Sequence, residues 1–261
     1  MNILAIGAHP DDIELGCGGT LLKAARDGHK VFLYVITRGG ASGNPEERTQ
    51  ELFATANYLG AQKLWVDNFG DTKVQVGSKL INHIEFFIHE SSADLVFTHS
   101  LQDYHHDHRA IAEATIEASR FSQNVLAYEV PLTKEFKPLV YCDISDVIDE
   151  KIELIRMFRS QNGKQFTSAD AVRGLAQYRA FQARLASHMD AVESFEVLKL
   201  CFGTDFGLLK LPAPSLTAAT KREIDIDDLI VYSSQTRRLI EKKLKEGNVP
   251  GEPMITPNRA E

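Results

Sequence analysis

A mainly parallel α/β sheet flanked by helices is the fold this sequence predicts, on three grounds. Short apolar runs rich in β-branched and aromatic residues recur along the first part of the chain, as strands buried on both faces require. Segments with helical spacing and recognisable caps separate those runs, the alternation expected of βαβ units with right-handed crossovers. Finally, 261 residues are enough for one large or two small domains at about 100–200 residues each.

The elements follow in order. Asn2–Gly7 is a compact apolar run, and residues 18–27 have helical spacing that stops at Gly28. Lys30–Thr37 (KVFLYVIT) reads as a strand buried on both faces. A helix is then marked by Asn44 as cap, Pro45 in the first turn, Glu46 and Glu47 at the positive dipole end, and Gly60 at the stop. Residues 63–67 read as a strand, 78–90 as a helix and 93–99 (ADLVFTH) as a fourth strand, followed by a helix at 109–119 and a strand at 125–130. Residues 146–159 and 169–187 read as further helices and 195–200 as a strand. A Pro-rich stretch at 211–216 (LPAPSL) divides a main domain, 1–211, from an extension, 212–261. Within the extension, 224–246 read as a charged amphipathic helix or two and 247–261 as an irregular tail.

Composition narrows the function. An apolar share of 43% and a charged share of 25% are ordinary globular values. With 29 Lys and Arg against 36 Asp and Glu, the net charge is -7, which disfavours nucleic-acid binding. No apolar run approaches the roughly 18 residues of a spanning helix, and the first residues lack the basic segment of a signal peptide. Three widely spaced cysteines, Cys17, Cys142 and Cys201, suit reduced thiols and a cytoplasmic location.

Parallel α/β sheets place their working loops at the carboxyl ends of the strands. Three such loops are loaded: Ala8-His9-Pro10-Asp11-Asp12, Thr37-Arg38-Gly39-Gly40, and residues 99–108, which hold His99, Asp103, His105, His106, Asp107 and His108. His9 and Asp12 are three apart with Pro10 between them, so an imidazole and a carboxylate can meet one ion. Two histidines and a carboxylate (His9, Asp12, His108) would leave zinc an open position for water, and they equally suit an Fe(II) facial triad. Spacing does not choose among His105, His106 and His108, and His99 competes, although its place suits a structural histidine at a strand end. Gly16, Gly18 and Gly19 lack the lysine and spacing of a phosphate loop, which favours a packing role.

At these motifs the chain resembles the LmbE-like, or PIG-L, de-N-acetylases. The resemblance rests on AHPDDIELGCGGTL at 8–21 and DYHHDH at 103–108, with weaker similarity over most of 1–203, including TRG at 37–39, FGD at 69–71 and ESF at 193–195. It implies a Rossmann-like domain, one Zn2+ per chain and hydrolysis of the N-acetyl group of an N-acetylglucosamine-like sugar in a small conjugate or nucleotide sugar. It makes His9, Asp12 and His108 the metal ligands, Asp11 the general base, and His105, oriented by Asp107, the general acid. Arg38, Arg48 and Asp71 resemble the family's hydroxyl-binding positions. Residues 188–192 depart from the family pattern where substrate shape and homo-oligomer contacts are expected. The alternatives are an Fe(II) oxygenase or other metallohydrolase on the same ligands, and a sugar-binding subunit with a vestigial metal site.

Overall fold

The computed structural model describes residues 1–120, 124–184, 189–202 and 230–233. Fourteen elements are named in chain order: β1 (Asn2–Gly7), α1 (Asp12–Arg26), β2 (Lys30–Thr37), α2 (Pro45–Leu59), β3 (Lys63–Phe69), α3 (Ser78–Ser91), β4 (Leu95–His99), α4 (His106–Ala118), β5 (Val125–Tyr128), β6 (Val140–Asp143), α5 (Ile148–Arg156), α6 (Ala169–Ala183), β7 (Val192–Lys199) and β8 (Ile230–Ser233). The strands form one sheet in the order β6-β7-β5-β4-β1-β2-β3-β8. Its five central strands are parallel, while β6, β7 and β8 join antiparallel at the edges.

The pleat explains the layering. Ile3, Ala5, Val31, Leu33 and Val35 pack on one face with Ile13, Leu21, Leu52 and Leu154 of α1, α2 and α5. The alternate residues Leu4, Ile6, Phe32, Tyr34 and Ile36 pack on the other face with Ile84, Phe87, Ile111 and Ala114 of α3 and α4. The chain winds one way through β1, β2 and β3 and then returns across β1 to β4 and β5. Strands β1 and β4 are therefore neighbours at the point where the winding reverses, the position where open α/β sheets leave a crevice beyond their carboxyl ends.

Several boundaries differ from the sequence expectation, and the differences gather around that crevice. Helix α1 starts at Asp12, not 18, and is kinked at Cys17 (φ -141). The kink frees the amides of Gly19 and Thr20, which donate to the Glu193 carboxylate at 2.8 and 2.7 Å; Glu193 in turn accepts from Lys151 Nζ at 2.6 Å. Helix α4 starts at His106, not 109, because the His105 side chain caps it by accepting the Asp107 amide. Strand β6 was not anticipated; its residues are only half-buried, so they lack a clear strand pattern. Strands β3 and β7 are longer than read, β4 and β5 shorter, and α5 ends at Arg156 before a 3-10 turn at Arg159–Gln161.

The helix expected at 224–246 is corrected at Ile230–Ser233, which form β8 antiparallel to β3. The β-branched and aromatic IVYS segment pairs with a strand edge that would otherwise be open. The other residues of that expectation, the 211–216 linker, the domain division and the tail lie outside the described residues, as do 185–188 of the expected helix 169–187. Among the described residues no helix is long and apolar enough to cross a membrane, and all three cysteines are free.

Two predictions follow from packing. A Cβ on Gly16 would lie 2.2 Å from the Tyr128 ring, which is fully buried and tied by its hydroxyl to Ile6 O at 2.7 Å. Gly16→Ala is expected to destabilise by about 1–3 kcal/mol, visible as a lower Tm in calorimetry. Asp67, at the β3 end, accepts from Tyr34 Oη at 2.7 Å and lies 2.6 Å from His83 Nδ1. Burial would raise its pKa, but His83 and Tyr34 outweigh burial and hold it below the ordinary value. A depressed carboxyl stabilises the fold above its unfolded pKa of about 4 and loses that contribution as pH falls through its folded value. The stability gap between the native chain and Asp67→Asn, measured by urea unfolding, is expected to shrink as pH drops from 6 towards about 3.

Candidate metal centre

Each buried polar group at the crevice is placed by a definite piece of backbone. Residues 8–12 leave β1 and turn into α1, and the Asp12 carboxylate orders that turn. Its Oδ2 accepts the amides of Ala8 and His9 at 3.1 and 2.8 Å. The loop from β4 carries Asp103, then His105 as helix cap, and places His108 in the first turn of α4.

These two segments meet in a triangle of donor atoms. His9 Nδ1 lies 3.3 Å from Asp12 Oδ2, His108 Nε2 lies 3.4 Å from the same oxygen, and the two imidazole nitrogens are 3.3 Å apart. Ligand atoms of a tetrahedral ion with bonds of about 2.0–2.1 Å sit about 3.3–3.4 Å from one another. The three side chains therefore already stand at the corners of one face of such a site, and all three are buried. Two imidazoles and one carboxylate are a donor set for a first-row divalent ion, with the fourth corner left for water or substrate.

His99 stays outside this triangle. Its Nε2 accepts the Ala8 amide at 3.1 Å and its ring stacks on His108 at 4.0 Å, the structural placement that its strand-end position suggested. Burial lowers its pKa to about 4, with the neighbouring His108 adding to the effect.

Asp11 and Asp12 are adjacent yet differ sharply. Burial and the Asp12 charge push Asp11 up to about 7. Burial would raise Asp12 as well, but His108 and His99 hold it well below the carboxylate range. Asp11 occupies the cap position of α1 in a left-handed conformation (φ 109, ψ -23), and its side chain makes no capping hydrogen bond. Two neighbouring carboxyls driven apart in this way suit different tasks, one exchanging a proton and one remaining an anion.

His105 is half-buried, with its ring 4.6 Å from His108 and 4.8 Å from His9. Burial and the charges of His108 and His9 lower its pKa. Asp107 orients it differently from the expectation. The Asp107 backbone amide donates to His105 Nδ1 at 3.2 Å, whereas the carboxylate lies 3.2 Å from His9 Nε2 and accepts the amides of Thr72 and Val74 at 2.8 and 3.1 Å. The Asp107 carboxylate thus braces His9 and the loop after β3. Within hydrogen-bonding reach of the same His9 nitrogen, at 3.0 Å, is Asp71 Oδ1, and Asp71 Oδ2 accepts the Ala41 amide at 2.7 Å. Arg38 is half-buried, with a buried Nε that finds no partner. Arg48 is 2% exposed and turned towards backbone oxygens of the β1 and β2 loops.

Asp103, the first residue of the DYHHDH motif, joins the site from behind His108. Its Oδ1 lies 3.3 Å from His108 Nδ1 and accepts the His105 amide at 2.7 Å, while Oδ2 accepts from Thr133 Oγ1 at 2.9 Å. It stands against the ring nitrogen of His108 that the donor triangle leaves free, in the way carboxylates commonly back metal-binding imidazoles. The available signal was an aspartate at the end of the same loop that delivers His108.

A family model described as GlcNAc-PI de-N-acetylase, PIG-L, matches residues 4–119. Among curated proteins, the chain is 34% identical over 152 residues to YaiS of Escherichia coli K12, named an uncharacterized deacetylase, covering 55% of this chain and 82% of that one. It is 27% identical over 185 residues to the diacetylchitobiose deacetylase of Thermococcus kodakarensis, covering 61% and 69%. Solved structures agree on the fold. The N,N'-diacetylchitobiose deacetylase of Pyrococcus horikoshii superposes with a TM-score of 0.67 at 22% identity, covering 75% of this chain and 83% of that one. The 4-carboxy-2-hydroxymuconate hydratase GalB of Pseudomonas putida gives 0.68 at 20%, covering 79% and 100%. The shared architecture therefore serves more than one reaction.

Removing the charge behind His108 tests the centre without touching a ligand. Asp103→Asn is expected to weaken metal affinity about 10–100-fold in a chelator competition; unchanged affinity would show that Asp103 serves only the loop.

Proposed function

The chain belongs to the PIG-L family, and from that membership we propose that it is a zinc-dependent hydrolase that removes the N-acetyl group of an N-acetylglucosamine-like sugar in a small conjugate or nucleotide sugar. The reading is carried by the triangle of His9, Asp12 and His108 donors, spaced 3.3–3.4 Å apart beside a carboxyl and an imidazole that are not part of it. The sugar class draws on relatives named as diacetylchitobiose deacetylases.

His9, Asp12 and His108 would hold the ion. When bound, zinc lowers the pKa of its water to about 7 and polarises a carbonyl oxygen, which is what a poorly electrophilic amide requires. Asp11 is the base: it sits next to a ligand, its side chain is not spent on capping α1, and it takes the proton of the attacking water. His105 acts through Nε2, because Nδ1 is engaged by the Asp107 amide. It donates its Nε2 hydrogen to the acetyl oxygen as charge develops there, and the proton that Asp11 took from the water passes on to the departing nitrogen. The products are acetate and the free amino sugar. Arg38 and Asp71, at the ends of β2 and β3, are the residues proposed to meet the sugar hydroxyls.

Asp11→Asn separates binding from chemistry. The zinc-loaded variant is expected to keep its metal by elemental analysis and to lose about 10²–10⁴-fold in acetate release from N,N'-diacetylchitobiose. Retention of native kcat would remove Asp11 as base. The reaction is expected to proceed anaerobically; strict dependence on oxygen would instead favour an Fe(II) oxygenase on the same ligands.

A further inference from the structure

We infer that Lys151 and Glu193 are positioning residues: their ion pair is inserted into helix α1 at Cys17 and sets the direction of the turn that carries Asp12. The inference rests on the reading of Asp12 as a metal ligand, and it starts from the backbone bond that the kink opens. In a regular helix the Gly19 N–H would donate to the carbonyl of Leu15, four residues back. Here Gly19 N donates to Glu193 Oε1 at 2.8 Å, and Leu15 O accepts from Lys151 Nζ at 2.7 Å. Lys151 Nζ and the same Glu193 Oε1 are 2.6 Å apart. Carbonyl, ammonium, carboxylate and amide thus form one chain, with an ion pair standing where a single backbone hydrogen bond would be. The second carboxylate oxygen accepts Thr20 N at 2.7 Å, and Cys17, between the two ends, has φ -141 and ψ 15. Lys151 and Glu193 are both buried. A buried ion pair offsets its desolvation only when its remaining donors and acceptors are met, and the opened turn of α1 meets them.

The two halves of α1 are held by different neighbours. Residues 18–26 lie against α5 and the loop before it: Lys23 Nζ donates to Asp146 Oδ1 at 2.8 Å, Arg26 pairs with Glu150, and a Cβ on Gly18 would meet Leu154 at 3.1 Å. Residues 12–16 are held by α2 and the sheet, since Glu14 Oε1 accepts from Thr55 Oγ1 at 2.6 Å and Gly16 faces the Tyr128 ring. Asp12 opens that short turn, and its Oδ2 holds the amides of Ala8 and His9. The inserted pair lets each half keep its own support, with Lys151 coming from α5 and Glu193 from β7, two elements that carry no ligand. Gly19 admits the carboxylate: a Cβ there would lie 3.2 Å from Glu193 Oε1 and 3.0 Å from Ile144.

A joint that sets Asp12 differs from an ordinary buried ion pair in how far its loss reaches. In the full-length, metal-free protein, Glu193→Gln keeps the side-chain shape but sets an NH2 group where a carboxylate oxygen stood. Amide hydrogen exchange is expected to quicken at Gly19 and Thr20 and also at Ala8 and His9, whose N–H groups Asp12 holds. Zinc affinity, by chelator competition, is expected to fall about 10–100-fold, the scale of a disturbed ligand support. Lys23→Met cuts a different tie between α1 and its neighbours, and is expected to leave both readings native. Faster exchange confined to Gly19 and Thr20 with native zinc affinity would make the pair a local support and overturn the inference, as would equal changes in Lys23→Met. Where Glu193→Gln does not fold, Glu193→Asp, which draws the carboxylate back by one methylene, serves in the same measurements. If the native chain binds no zinc or releases no acetate, the functional reading falls, while exchange at Ala8 and His9 still decides the joint.

Discussion

One carboxylate oxygen, Asp12 Oδ2, is the point on which the buried chemistry of this protein converges. It accepts the amides of Ala8 and His9 and lies within 3.3 to 3.4 Å of imidazole nitrogens from His9, His99 and His108. A buried anion without compensation is costly, and its partners must be well oriented to offset desolvation. Here they are oriented by the sheet. Strands β1 and β4 are paired neighbours, and each ends in a loop that delivers half of the cluster. The register that pairs Ala5 with Phe97 also sets where the following loops bring Asp12 and His108 together. The sheet order and the metal-site geometry are one constraint.

That constraint accounts for the polar residues behind the first ring of contacts. Asp103 backs His108, and Asp107 backs His9 while also accepting amides from the loop after β3. Burial works against the charged form of each group, yet Asp103, Asp107 and Asp12 all remain below the ordinary carboxylate range because imidazoles and amides face them. The helices contribute too. Helix α1 could not lie this close to β5 if Gly16 carried a side chain, since Tyr128 fills that space. The resulting kink at Cys17 is tolerable because Glu193 takes over the two amides it frees. The glycines of the first motif thus serve packing, as the missing phosphate-loop lysine suggested.

What could be read from the chain, and what could not, divides along physical lines. The central strands were legible because both of their faces are buried, so their inner residues are mostly apolar and the runs stand out. The facing loops were legible because HPDD and HHDH hold more ligand-type residues than surface loops need. The start of α4 was not, because the histidines and aspartate there carry no apolar period and the cap is a histidine rather than the usual serine, threonine or aspartate. Strand β6 escaped because half-buried edge residues show no clean alternation, and β8 because four β-favouring residues sit within a longer charged stretch. The direction of Asp107 was illegible for a different reason: whether a carboxylate or its own backbone amide faces His105 depends on where the β3 loop passes, which local sequence does not encode.

Arg48 shows the same limit at a single residue. On a helical wheel, an arginine in the first turns of α2 is indistinguishable from a solvated charge, and only the paths of the loops after β1 and β2 bury it. The need for such a buried cation can nevertheless be argued from the adjacent aspartates. In a regular helix, neighbouring side chains point about 100° apart, so Asp11 and Asp12 could not both attend one small site if both were helical. With Asp11 turned into the left-handed region, two carboxyl groups lie buried in succession, at the cost of backbone strain and of a second acidic group beside the first. An arginine placed against Asp11 opposes both costs, because it hydrogen-bonds the carbonyl before the strained bond and lowers the charge repulsion between the two carboxylates. Two buried acidic residues in succession therefore call for a fixed cation close by, and α2 supplies it through Pro10 O and Asp11 Oδ1.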